Sequence, residues 1–139
     1  MFILLAALVA VTLPVLATAQ TTTKRVTAKP TSAASGAEMY KEYCASCHGL
    51  SGKGEGPAAP ALKAVPANLT TLSARNGGKF PEDKVMQSIK SGPGLSAHGS
   101  AEMPVWGPIF MAMRTGPSDA EVQQRAHNVM EYIRTLQAK

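Results

Sequence analysis

The sequence predicts an all-α domain, and three observations carry that prediction. Two S-x-x-E boxes, Ser35-Gly36-Ala37-Glu38 and Ser118-Asp119-Ala120-Glu121, each open an apolar run at helical spacing. No strand-like alternation surrounds the cysteines. The long stretch from His48 to Asn68 is dominated by Gly and Pro and reads as loop. With 139 residues, the chain is long enough for one domain.

The elements are taken in chain order. Residues 2–17 are nearly all apolar and run into the A-x-A site Ala17-Thr18-Ala19, with Gln20 next, so residues 1–19 read as a signal peptide. No Lys or Arg precedes the run. The competing reading is an uncleaved anchor. Against it, the run is short for a bilayer span of about 20 residues, Pro14 interrupts it, and Lys24 and Arg25 favour a cytoplasmic location for the downstream side of an anchor. Residues 20–35, rich in Thr, Ala and Ser with Pro30, read as a flexible linker. The folded domain is then 36–139.

Within it, Ser35 starts a helix through Tyr43 that sets Tyr40, Tyr43 and Cys44 on one face. Thr70 to Arg75 form a short helix stopped by Gly77-Gly78. Pro81 opens the next helix, with Glu82 and Asp83 at the positive end of its dipole, Val85, Met86 and Ile89 inward, and Gly92 as its stop. Met111 and Met113 follow Pro108 in a segment suited to another short helix. In the last helix Val122, Ala126, Val129, Ile133 and Leu136 make one continuous apolar stripe, and His127 falls on its polar side. Met39, Met86 and Met130 fit core positions.

The chemistry is concentrated in Cys44-Ala45-Ser46-Cys47-His48, which uses both cysteines of the chain. C-x-x-C-H is the attachment signature of a c-type haem. Two thiols at this spacing can each add across a haem vinyl group, and the adjacent histidine then lies under the iron as its proximal ligand. A thioredoxin-like reading wants a βαβ context, which is missing. A structural zinc site wants four ligands, and no second cysteine pair exists. A disulfide across two residues is a small strained loop with little stabilising effect. There is no second C-x-x-C-H and no internal repeat, so the expectation is one haem c, with its iron, per chain.

With Ala101-Glu102-Met103-Pro104-Val105-Trp106-Gly107 added to the motif, the chain resembles the small monohaem class I cytochromes c. It is most similar to the bacterial kind with a Met-Pro-x-Trp-Gly distal segment. The resemblance covers residues 36–139. It implies three to five helices wrapped around one covalently bound haem, with His48 and Met103 as the two iron ligands. His98, five residues before Met103, is the rival distal ligand. A metal-bound imidazole usually donates its other N–H to a carbonyl. In the resembled family a proline supplies it, which implies Pro57, with Pro60 as runner-up. Gly36 and Tyr40 against Tyr132 resemble the family's crossing of first and last helices. Two roles are open to Trp106, at the haem edge or a propionate, or in the core without contact to the cofactor. Arg75 is open between a propionate and solvent.

Composition bounds the function. The net charge is +5, but Lys24, Arg25 and Lys29 lie in the linker, and removing those three from fourteen basic residues leaves eleven against nine acidic ones. Two haem propionates would offset that +2, so nucleic acid is not an expected partner. Lys41, Lys53, Lys63 and Lys79 could flank an exposed haem edge and steer an acidic redox partner, or be ordinary solvated lysines. Seven aromatic residues, one of them in the leader, make a thin core that a haem would complete. No nucleophile–base pair or phosphate loop is present, and an iron held by His48 and Met103 has no site for substrate. The expectation is a non-enzymatic, extracytoplasmic carrier of single electrons, located in the periplasm. Its partners would be redox proteins, membrane-bound respiratory complexes among them. The alternatives are a haem subunit of a larger oxidase or dehydrogenase, and a haem enzyme or gas sensor with an open iron.

The leader generates a direct test. Mass analysis of the native protein should place the N-terminus at Gln20. An intact Met1 in the membrane fraction would instead establish the anchor.

Overall fold

The computed structural model describes residues 28–92, 102–113 and 119–138. Five helices and no strand occur among the described residues. Helix α1 is one helical run in three segments, Gly36–Met39, Tyr40–Cys44 and Ala45–His48. Helix α2 is Leu72–Arg75, entered through a 3₁₀ turn at Leu69–Thr71. Helices α3, α4 and α5 are Glu82–Ser91, Trp106–Met113 and Ala120–Thr135. None of the described helices is long and apolar enough to cross a membrane. The leader, residues 20–27, His98 and Ser118 lie outside the described residues.

Helix α1 begins as its sequence predicts, with the Ser35 side chain accepting the Glu38 backbone N–H at 3.2 Å. The other half of the box differs. The Glu38 carboxylate reaches the Ser32 backbone N–H at 3.4 Å. The middle segment is π-type, with the Ala45 N–H donating to the Tyr40 carbonyl five residues back. A widened turn of this kind is most often found beside functional residues, and here it immediately precedes the cysteine motif.

The core forms where α1 lies across α5, with α3 and α4 packed on α5 and on each other. Met39, Tyr40, Phe110, Val129 and Met130 are its most buried large side chains. The predicted stripe of α5 faces inward, with Val122, Ala126, Val129 and Ile133 buried and Leu136 packed against them. His127 is exposed. The crossing depends on Gly36. A Cβ there would lie 1.9 Å from the Asn128 carbonyl oxygen and 3.2 Å from the Tyr132 Cβ. Tyr40 and Tyr132 then meet at 5.1 Å between ring centroids.

Residues 28–35 are not free linker. Asn128 donates to the Ala33 carbonyl at 2.8 Å, and Arg125 to the Thr31 carbonyl at 3.1 Å. The Tyr43 hydroxyl donates to the Lys29 carbonyl at 2.6 Å. Ala28 packs against the core. A polar composition predicts flexibility only where no partner competes for the backbone, and α5 supplies partners here.

Gly36→Ala should destabilise the fold by about 3 kcal/mol, the upper end of ordinary overpacking, because the added carbon meets backbone rather than a movable side chain. The measurement is the urea unfolding midpoint, and an unchanged midpoint would show that the helices can part freely.

Candidate haem site

Cys44 and Cys47 lie at the end of α1 as free, half-buried thiols. Burial is the main cause that pushes the Cys44 thiol up to about 12, with the nearby Cys47 adding to it. The sulfur is thus held uncharged. Among the described residues no three His, Cys, Asp or Glu side chains converge on a common metal-ion position.

His48 closes the helix. Its Nδ1 lies 3.0 Å from the Ala67 carbonyl oxygen. A carbonyl only accepts, so Nδ1 carries the proton and the Nε2 lone pair is left to bind a metal. Burial lowers the His48 pKa, opposed in part by the bond to Ala67, and the neutral ring is the ligating form.

This contact corrects the expectation for Pro57. The loop after the motif turns back on α1 and satisfies its last carbonyls. Gly54, Gly56 and Ala58 donate to the carbonyls of His48, Cys47 and Ser46 at 2.8, 3.0 and 2.8 Å. Pro57 sits exposed between two of these donors, on the side of the loop committed to the helix end. Gly56 is required there, because a Cβ would lie 2.3 Å from the Ser46 carbonyl oxygen. Pro60 lies exposed in the 3₁₀ turn Ala59–Ala61. The chain reaches the imidazole only later, at Ala67. The available signal was Pro66-Ala67-Asn68, a fixed proline followed by a cap: Asn68 accepts from the Thr70 N–H at 2.9 Å and the Thr70 hydroxyl at 2.8 Å. Tyr40 adds a further tie, its hydroxyl donating to the Gly49 carbonyl at 2.8 Å.

Met103 is half-buried in the turn that leads into α4. Its segment is tied to the loop between His48 and Ala67, since the Glu102 carboxylate accepts the backbone N–H groups of Lys63 and Ala64 at 3.0 and 3.3 Å. No local sequence signal marks Glu102 for this role, because its partners lie almost forty residues back along the chain. Trp106, the first residue of α4, is half-buried against the Tyr43 ring at 5.0 Å, so it contributes to the core. The Arg75 guanidinium turns back on its own turn, donating to the Asn68 carbonyl. Lys41, Lys53, Lys63 and Lys79 are exposed.

The residues fit a haem by the chemistry of the donor set and by the exposed apolar side chains that neighbour it in the sequence. Leu50 and Val65, in the loop between His48 and Ala67, are 67% and 88% exposed, and Val105 beside the Met103 segment is 42% exposed. Each lies two residues along the chain from His48, Ala67 or Met103, and exposed apolar groups at those positions suit a large apolar cofactor better than a hydrated ion. Comparison with curated proteins gave no match. A family model described as cytochrome c matches residues 33–137. That span takes in all five helices and the motif, and members of the family carry covalently attached haem c and transfer electrons; the chain belongs to the cytochrome c family.

Proposed function

We propose that the protein is an exported carrier of single electrons, with haem c attached at Cys44 and Cys47 and its iron held by His48 and Met103. The observation that carries this reading is the His48 ring, set on the helix that bears both thiols and fixed through Nδ1 so that Nε2 is free. When bound, haem c supplies a one-electron ferrous/ferric couple. The chain does the rest. Cys44 and Cys47 hold the group in place, and the Ala67 carbonyl makes His48 a more basic and better oriented ligand. The tie from Glu102 to Lys63 and Ala64 supports Met103 as the far ligand, because it holds that segment beside the loop that leaves His48. A thioether ligand favours the reduced state and raises the potential.

With His48 and Met103 both holding the iron, no position on it would be left for substrate. Electrons would then cross through the protein surface to a transiently docked redox partner. The exposed Lys41, Lys53, Lys63 and Lys79 would steer an acidic partner toward that surface. The leader supports export to the periplasm, with membrane-bound respiratory complexes as expected partners.

Denaturing electrophoresis followed by a haem stain should show haem at the protein's mass, and complete loss of the stain would sink covalent attachment. Met103→Ala should open the iron to carbon monoxide and lower the reduction potential. His98→Ala should change neither property much. The reverse pattern would make His98 the ligand. Rapid carbon monoxide binding by wild type would replace the carrier with a haem enzyme or gas sensor.

A further inference from the structure

The segment carrying Met103 is tied on both sides. One residue before it, Glu102 accepts from the Lys63 and Ala64 backbone. Three residues after it, Trp106 lies on the Tyr43 ring at 5.0 Å with a 30° tilt. Phe110 completes the group, 6.0 Å from Tyr43 and 5.9 Å from Trp106.

Tyr43 is itself fixed at its far end. Its hydroxyl lies 2.6 Å from the Lys29 carbonyl, 2.8 Å from the Thr31 hydroxyl and 3.5 Å from the Met113 sulfur. A phenol has one proton to give. The Lys29 carbonyl is nearest and cannot donate, so it takes that proton. The Thr31 hydroxyl then donates to the phenol oxygen. Thr31 in turn accepts from Arg125, at 3.1 Å on its carbonyl and 3.4 Å on its hydroxyl. Arg125 is only 5% exposed and is held by Glu121 at 2.9 Å. The result is a hydrogen-bond chain of one direction, Arg125 to Thr31 to Tyr43 to Lys29, that joins α5, the N-terminal arm and α1.

We propose that Tyr43 is a positioning residue for Met103: latched at its hydroxyl by Lys29 and Thr31 and stacked on Trp106, it sets how readily the Met103 segment lifts away from the haem. The proposal rests on Met103 being the distal ligand. A ligand carried on a loop leaves as often as the loop opens, and the Tyr43–Trp106 stack holds the end of this loop where it joins α4. The arm enters because a ring free to swing would offer Trp106 a poorer surface. The N-terminal arm would then act on the Met103 segment through Tyr43 and Trp106.

The test is carbon monoxide binding to the ferrous holoprotein by rapid mixing, with the ferric thioether charge-transfer band recorded alongside. Met103→Ala should abolish the band. Tyr43→Leu should keep the band but raise the rate of carbon monoxide binding roughly tenfold, the order expected for loss of a stacked aromatic pair. Tyr43→Phe keeps the ring and loses only the latch, so about a threefold rise is expected. Val129→Ala, a core truncation on α5, should lower the unfolding midpoint and leave the rate near wild type. If Met103→Ala keeps the band, Met103 is not the ligand and both readings fall. If Met103→Ala loses it but Tyr43→Leu is no faster than Val129→Ala, the ligand stands and the positioning role falls. Should Tyr43→Leu fail to load haem, Tyr43→Phe decides: a wild-type rate overturns the proposal.

Discussion

The close approach of α1 to α5 at Gly36 is the constraint on which the rest depends. Helix α1 carries Cys44, Cys47 and His48 at its C-terminal end, so whatever fixes its N-terminal half also aims the motif. With no side chain at Gly36 the helix rests against the Asn128 carbonyl, and Tyr40 slides over Tyr132. The same contact brings Asn128 and Arg125 within reach of the arm, which is why a segment of Thr, Ser and Ala is bonded to α5 at Thr31 and Ala33. The buried Arg125 would cost several kcal/mol if unpaired. Glu121 and the Thr31 carbonyl offset that cost, and in doing so they make the arm part of the domain.

From that anchor the site is assembled largely by backbone. The last carbonyls of α1 need partners, and the loop from Gly54 to Ala58 supplies its N–H groups to them. The Gly-rich composition serves this task, since the loop must lie flat against a helix end. Only after it has done so does the chain return under His48 and present Ala67. The ring is then held in one tautomer by a backbone atom, so the orientation of His48 is a property of the chain path rather than of any side chain. The Met103 segment is held in a mixed way, by backbone N–H groups on the Glu102 carboxylate and by aromatic stacking at Trp106. Both ties lead back to elements that also hold the motif, one to its loop and the other to α1 itself.

What was legible in the sequence was what local physics determines. The capping Ser35, the stripe of α5 and the stop at Gly92 predict helices where they are found, because caps and periodicity act within a few residues. The motif Cys44–His48 was legible for the same reason: its chemistry requires a fixed local spacing. Three things were decided only by tertiary structure. The acceptor for His48 proved to be Ala67 rather than Pro57, because counting residues along a loop does not say which part of it the helix end will claim. The second half of the linker became a docked arm, because its partners lie about a hundred residues away on α5. Trp106 stacks on Tyr43 and Phe110, a contact set by where α4 comes to rest against α1. Sequence alone therefore determined the helices and the attachment chemistry, which are short-range. The surroundings of His48 and Met103 were decided by the fold, because they depend on contacts between residues far apart in the chain.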